Sequence, residues 1–569
     1  MKMPALLGEC HVLRDILQGR PTWVSGGGLS AGGAIVALLW AALGAGCTVG
    51  PNYSAPTPAV AEAFSEVRGA PQDGDKLVSR PESGVEATAR WWYRFHDAEL
   101  ESLIQRAQKG NRDLKLAAAR VREARLQRAV ATSGFWPAID LTGGYNRGHG
   151  SENVELPFGN PAGGSGGAGA AASGSAADGP TGQMADAAPG AAGISAPASG
   201  AVMPPSGGNR PAGPASPLGE GGLPGVTTNL YQAGFDASWE IDLFGGKRRA
   251  LESATAQLQA VEEAERAAMV TLLGEVAETY LQLRAGQRRL ELAQQNLQVA
   301  KDVLAIVRAK FDTGFATDLE VARQSAEVAT IEATLPALQT AERISIHALS
   351  VMIGEQPGAL AAELSRSSPL PELPPEVPVG LPSDLLRRRP DVRQAERKVA
   401  AASAQIGVAT AGLLPQFNLA AAFGFDSSKP GDLVEWSSHY YSVTPGVRFP
   451  LLDWGRAKTN VRLSDEAARA AGLRYESVVA QAMLDVENAL VRFRNEQVAR
   501  AARAEALAAN RRAFTIARQR YEQGLVDSLV VLEAQRTLLS AEDALAQSEA
   551  LVRLQLVALY KALGGGWES

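Results

Sequence analysis

The chain has 569 residues, 55 Lys and Arg against 61 Asp and Glu, a net charge of −6, and 46% hydrophobic but only 6% aromatic residues. That balance leaves no basic excess for nucleic acid and is too polar for a bundle of membrane-spanning helices. Two cysteines, Cys10 and Cys47, and five scattered histidines exclude a disulfide framework, a cysteine-rich zinc site and an iron–sulfur cluster.

The first element is a leader. Lys2, Arg14 and Arg20 precede the apolar run Ala34–Leu43, which is well short of the ~20 residues that a spanning helix needs. A basic flank, a short apolar core and the small residues Gly44-Ala-Gly46 read as a secretory signal over residues 1–46. Cys47 follows directly. Its position resembles a bacterial lipoprotein cleavage site, with lipidation of Cys47 as the consequence; plain signal-peptidase cleavage nearby is the alternative. A single acyl chain holds a protein to a bilayer only marginally, so permanence needs several chains or a spanning element. Residues 47–97 continue as an extended N-terminal segment.

Two repeats come next. Asn111-Arg-Asp-Leu114 aligns with Arg389-Pro-Asp-Val392 and Pro137 with Pro415 at an offset of 278. Phe244-Gly245 aligns with Trp454-Gly455, and Lys310-Phe-Asp-Thr-Gly314 with Arg520-Tyr-Glu-Gln-Gly524, at an offset of 210. The drop marks an insert in the first copy, the Gly/Ala/Pro/Ser tract 160–225, too poor in apolar groups to offset chain entropy and expected to be disordered. The first repeat is expected over 98–352, a Pro-rich linker over 353–382, the second repeat over 383–564 and a tail over 565–569. Each copy reads as helix, two strands, very long helix, glycine turn, helix.

The strands carry the functional signal. Tyr231, Ala233, Phe235, Ala237, Trp239 and Ile241 alternate strictly with Gln232, Gly234, Asp236, Ser238, Glu240 and Asp242, giving one apolar and one polar face. Ile139, Leu141 and Tyr145 fall into the same pattern, as do Phe417, Leu419, Ala421, Phe423 and Phe425, and then Tyr441, Val443, Val447, Phe449 and Leu451. No outward position is charged, whereas the inward set holds Asp140, Asp236, Glu240, Asp242, Asp426 and Arg448. Segments of this length suit tilted membrane strands of ~9–11 residues. Pro445 costs a ladder hydrogen bond and calls for a bulge or an irregular edge.

The long helix is expected over Lys247–Phe311, free of proline and rich in helix formers. Leu283, Leu290, Leu297, Leu304 and Phe311 recur every seven residues, with Ala293, Ala300 and Val307 three behind, a coiled-coil seam that implies neighbouring helices. The second copy keeps Phe493, Leu507, Phe514 and Tyr521. Four strands cannot close a barrel, and an open edge in lipid leaves backbone groups unsatisfied. Other copies of the chain must complete the wall. Two would give eight strands around a filled interior; three give twelve and room for a lumen.

These residues resemble the TolC family of outer-membrane efflux channels, in particular its lipidated, NodT-like members. The resemblance rests on Cys47-Thr-Val-Gly-Pro-Asn-Tyr53, Trp91-Trp92, Trp239-Glu-Ile-Asp-Leu-Phe-Gly-Gly-Lys-Arg-Arg249, Leu381-Pro-Ser-Asp-Leu-Leu-Arg-Arg-Arg-Pro-Asp391 and Phe449-Pro-Leu-Leu-Asp-Trp-Gly455. It implies a mixed α and transmembrane β fold: a homotrimer with a twelve-stranded β-barrel, four strands per chain, and a long periplasmic α-helical barrel. It also implies docking to a periplasmic adaptor (membrane fusion) protein and an inner-membrane efflux pump, with outer-membrane lipid around the barrel. The turns Thr313-Gly314-Phe315 and Gln523-Gly524-Leu525 match the tips that meet the adaptor. Glu320, Leu529 and Glu533 match the entrance constriction, Val530 departing from the acidic pattern of some members. No H-E-x-x-H or G-x-S-x-G motif is present, and Gly245-Gly-Lys247 lacks the first glycine of a phosphate loop. The expected role is a passive exit duct without catalysis or cofactor, driven by its partners. The rival reading is an exported coiled-coil scaffold or surface adhesin, which heptads and a lipidated start would suit but amphipathic strands would not.

Overall fold

The computed structural model describes residues 48–58, 61–68, 78–82, 89–151 and 226–567. The signal segment, Cys47 and the 160–225 insert lie outside the described residues. The strands are β1 (Arg80–Glu82), β2 (Ala138–His149), β3 (Thr227–Ile241), β4 (Glu376–Pro378), β5 (Gln416–Ser427) and β6 (His439–Arg448). The main helices are α1 (Ala98–Gly110), α2 (Arg112–Ser133), α3 (Gly246–Asp312), α4 (Asp318–Met352), α5 (Pro390–Ala411), α6 (Arg456–Glu522) and α7 (Ser528–Ala562). Helices α2 and α5 each have 22 residues, α3 and α6 each 67, and α4 and α7 each 35. The chain divides into a helical unit and a sheet unit, the latter formed by Trp136–Ile241 and Phe417–Arg448. Among the described residues no helix is long and apolar enough to cross a membrane.

In the helical unit, side-chain oxygens at the helix starts satisfy backbone N–H groups that have no partner within the helix. Asp97 accepts from Glu99 and Leu100 at 3.0 and 2.9 Å, and Asn111 accepts from Leu114 at 2.9 Å. The main core gathers Trp91, Phe95, Leu103 and Ile104 with Tyr280, Leu283, Phe493, Leu556 and Tyr560. Trp91 stacks on Tyr560 at 5.4 Å between ring centroids. Arg284 is buried there, tolerable because both terminal nitrogens of its guanidinium are engaged: it donates to Gln287 Oε1 at 2.7 Å, to the Arg366 carbonyl at 2.8 Å and to Glu99, while its Nε has no partner among the described residues.

The apolar face of α3 divides between neighbours. Ala300 and Leu304 pack with Val328 and Ile331 of α4, whereas Val303 and Val307 meet Leu507, Phe514 and Tyr521 of α6 and Val531 and Leu538 of α7. Each Val, Leu, Ile or Phe among them contributes roughly 1.5–3 kcal/mol on full burial. Phe311, the last of the series, is exposed.

The Pro-rich segment 353–382 does more than connect. Its Leu360, Leu364, Val377 and Val379 are buried in the main core, and β4 pairs parallel with β1. The described start of the expected tail, residues 565–567, is packed as well. Gly564 to Gly566 are buried, and the Trp567 indole donates to the Arg388 carbonyl at 3.1 Å between the Arg266 and Arg393 guanidiniums, 5.0 and 5.2 Å from its ring.

The sheet unit has the order β2-β3-β5-β6, with β2–β3 and β3–β5 antiparallel. Its register joins like with like. Leu141 faces Phe235, which faces Phe423, and Tyr145 faces Tyr231. Strand β6, carrying Pro445, lies at one margin of the sheet, where a missing N–H is tolerated. Among the described residues β2 and β6 each have one side without a strand partner.

Candidate functional site

Three places hold the candidate residues. The first is the pair of helix tips. Helix α3 ends with the Phe315 N–H donating to the Lys310 carbonyl at 2.7 Å, and α6 with the Leu525 N–H donating to the Arg520 carbonyl at 2.9 Å. These bonds reach back around a left-handed residue, and Gly314 and Gly524 supply it with φ of +78° and +74°. The next helices start at once, Thr317 capping the Glu320 N–H at 3.4 Å and Asp527 the Leu529 N–H at 3.1 Å. The Asp527 carboxyl is held below its ordinary range by the hydrogen bond from the Leu529 N–H and then by that from the Ser528 hydroxyl. The turns leave Phe315 and Leu525 standing out, 84% and 68% exposed, with Thr313 and Gln523 also exposed.

Just inside the tips, the structure joins residues from both halves. The Tyr521 hydroxyl donates to Glu320 Oε2 at 3.5 Å, and the Lys310 ammonium sits 4.0 Å from the Tyr521 ring while donating to its carbonyl. Burial and the Glu320 charge push the Tyr521 hydroxyl up to about 12. Glu320 is therefore tied within the chain. Leu529 and Glu533 are exposed on α7, and the Glu533 carboxylate has no partner among the described residues. Sequence reasoning missed Lys310 and Tyr521 as a pair. It also missed Glu327, buried and paired with Arg536 at 2.7 Å. No spacing in either repeat announces these cross-links, which join helices far apart in the chain.

The second place is the polar face of the sheet. Asp140 stands opposite Asp236, Asp426 opposite Gln232, and Glu240 opposite Asn418, so these four carboxylates share one face. The Thr142 hydroxyl donates to Asp236 at 2.9 Å. Tyr440 lies over Gly234 and Gly424 on that face, and Arg448 falls on it by alternation along β6. Asp242 does not belong to the set. Strand β3 ends at Ile241, and the Asp242 carboxylate accepts the Arg248 N–H at 3.0 Å at the start of α3. Alternation had assigned it one residue too far, past the point where the chain turns.

The third place was not foreseen beyond an extended segment. Residues 48–53 form a strap over the start of α3. The Val49 N–H donates to the Phe244 carbonyl at 3.1 Å. Arg249, 4% exposed, donates to the Val49 carbonyl at 3.1 Å, the Gly50 carbonyl at 3.3 Å and Asn52 Oδ1 at 2.7 Å. The Tyr53 hydroxyl donates to Glu396 at 3.0 Å, and Gly50 sits against Gly407, where a Cβ would come within 2.5 Å of Gly407 Cα. Among the described residues no cluster of three or more His, Cys, Asp or Glu could hold a metal ion.

The chain thus combines an antiparallel sheet with an uncharged apolar face and two 67-residue helices, each of which turns through a glycine into a 35-residue helix. The chain belongs to the outer membrane efflux protein family, whose model matches residues 207–355 and 381–565. It is 31% identical over 486 residues to the pyoverdine export outer membrane protein OpmQ of Pseudomonas putida, covering 84% of this chain and 88% of that one. It is 27% identical to nodulation protein T of Rhizobium leguminosarum bv. trifolii, over 92% of this chain and 95% of that one. Among solved structures, the outer-membrane channel OprN superposes with a TM-score of 0.73 at 30% identity, over 92% of this chain and all of that one. The chain is an outer-membrane channel component of an efflux system.

Proposed function

We propose that three copies of this chain close a twelve-stranded barrel through β2 and β6, pool their long helices into a helical tunnel, and act as the passive exit duct of a tripartite efflux system. The observation that carries this reading is the four-stranded sheet, uncharged on its apolar face and with a strand side left over at each margin. Lipid satisfies no backbone groups, so those sides must pair with sister strands. Asp140, Asp236, Glu240, Asp426 and Arg448 then line the lumen. Phe315 and Leu525, with the turns that present them, offer the periplasmic adaptor protein two apolar knobs per chain. Energy comes from an inner-membrane pump. Glu320, Leu529 and Glu533 surround the periplasmic entrance, Glu533 facing it as the unpaired charge. Cys47 carries the lipid, one residue ahead of a strap already docked at the start of α3.

Purified protein should be trimeric in detergent and form pores in planar bilayers. Glu533→Ala should raise the conductance or change its dependence on the cation. An unchanged current–voltage curve at low and high salt removes Glu533 from the entrance, and well-folded trimers without pores would sink the duct.

A further inference from the structure

The two points where a strand gives way to a long helix are unequal. Before α3, the turn Asp242–Gly245 is covered by the strap, close enough that a Cβ on Gly245 would stand 2.8 Å from Thr48 Cα. Before α6, the matching turn is bare. Leu451, Leu452 and Trp454 are 80%, 86% and 97% exposed, and among the described residues Trp454 is the largest uncovered apolar side chain of the helical unit.

This turn is also held under strain. Trp454 has a φ of +54°, a left-handed conformation that is costly for a bulky residue. The Asp453 carboxylate imposes it by accepting the N–H groups of Gly455 at 3.0 Å and Ala457 at 2.8 Å, which ties the turn to the first turn of α6. Three large apolar side chains are thus presented by a rigid, hydrogen-bonded loop rather than by a slack one. Strain of this kind persists where the surrounding structure over-determines it, and it clusters at functional positions.

The occupant follows from what precedes the turn. Tyr441, Val443 and Val447 of β6 are exposed and uncharged, and Phe449, Leu451 and Leu452 continue that apolar run in sequence. Trp454 comes six residues after the end of β6, at most about 20 Å of extended chain. That is within reach of the zone where a membrane strand leaves the bilayer. Indole, apolar with one N–H, is suited to that zone.

We propose that Leu451, Leu452 and Trp454 are a membrane-interface anchor that enters the periplasm-facing leaflet, while Asp453 remains in water as the cap of α6. The second repeat then has an attachment of its own where strand becomes helix, a Leu-Leu-Trp wedge. The inference rests on the membrane-channel reading of the chain.

The test uses the full protein reconstituted in phosphatidylcholine vesicles containing lipids brominated either near the headgroup or deep in the acyl chain, with tryptophan fluorescence as the readout. Subtracting the Trp454→Phe signal isolates Trp454 from the other tryptophans. Headgroup-proximal bromine should quench the Trp454 component and deep bromine should spare it. Trp454→Gly, which suits the left-handed backbone, should keep the trimer and lose that component. Equal quenching of wild type and Trp454→Phe overturns the anchor. So does a loss of trimers in Trp454→Gly with no lipid quenching in wild type, because a second copy would then cover the patch. Failure of the protein to enter vesicles or form pores would instead strike the channel reading, whereas pores without Trp454 quenching sink the anchor alone.

Discussion

Arg249 divides its guanidinium among the Val49 and Gly50 carbonyls, Asn52 and Glu252. Its acceptors belong to exposed or half-buried residues that water can reach once the guanidinium is gone, so Arg249→Ala should cost on the order of 1–2 kcal/mol and speed hydrogen exchange at residues 48–53. An unaltered exchange pattern would mean that the close fit at Gly50 and Gly407 suffices to hold the strap. Tyr521 makes a pH-dependent contribution. Its hydroxyl titrates near 12 in the folded chain, above the ordinary 10, so the folded state retains a proton that the unfolded state has lost between those values. The associated stability is complete below pH 10 and disappears as pH rises through 12. Tyr521→Phe should therefore flatten the fall of thermal stability between pH 10 and 12 relative to wild type. The same slope in both would show that neither burial nor Glu320 shifts the hydroxyl.

At the scale of elements, the tips are the place where single residues set geometry. A Cβ at Gly314 or Gly524 would meet nothing within 4 Å, yet both hold positive φ. Alanine at either should cost about 1–2 kcal/mol through backbone conformation alone, and asparagine less, as read by chemical denaturation. If alanine is neutral, the turns have relaxed to another form. Much of this layer was legible beforehand. The expected helix Lys247–Phe311 runs over Gly246–Asp312, because a proline-free run dominated by helix formers tolerates the isolated Gly274 and Gly286 inside it. The common parity of the strands reappears as register, since a slip by one residue would flip every side chain. Asp242 was misplaced because alternation carries no stop signal. The strap, the packed Pro-rich segment and the Lys310–Tyr521–Glu320 link were invisible for a different reason: each depends on which distant segments meet, and periodicity reports only how a segment faces its surroundings.

For the whole molecule, charge on the sheet's polar face gives a measurable consequence. If twelve strands enclose it, Asp140 and Asp236 recur threefold in a confined aqueous space, where like charges raise the local concentration of counter-ions. Replacing both by asparagine should lower cation preference, moving the reversal potential in a salt gradient toward zero, and more at low ionic strength than at high. A reversal potential identical to wild type would place these carboxylates away from the conducting path.

The matched helix lengths, 67 with 67 and 35 with 35, have a consequence of their own. Each long helix travels ~100 Å and hands over to a returning one, and Lys310 meets Tyr521 only because both journeys finish level. The reach of such a device behaves like a ruler with fixed graduations. Seven residues added to α3 alone would part the two turns and shift one side of every downstream seam, so lengthening has to be written into α3, α4, α6 and α7 together, in whole heptads. If the chain is the exit duct proposed above, cells with a wider gap between their membranes cannot adapt it by gradual drift; they must acquire a coordinated step or recruit a taller partner.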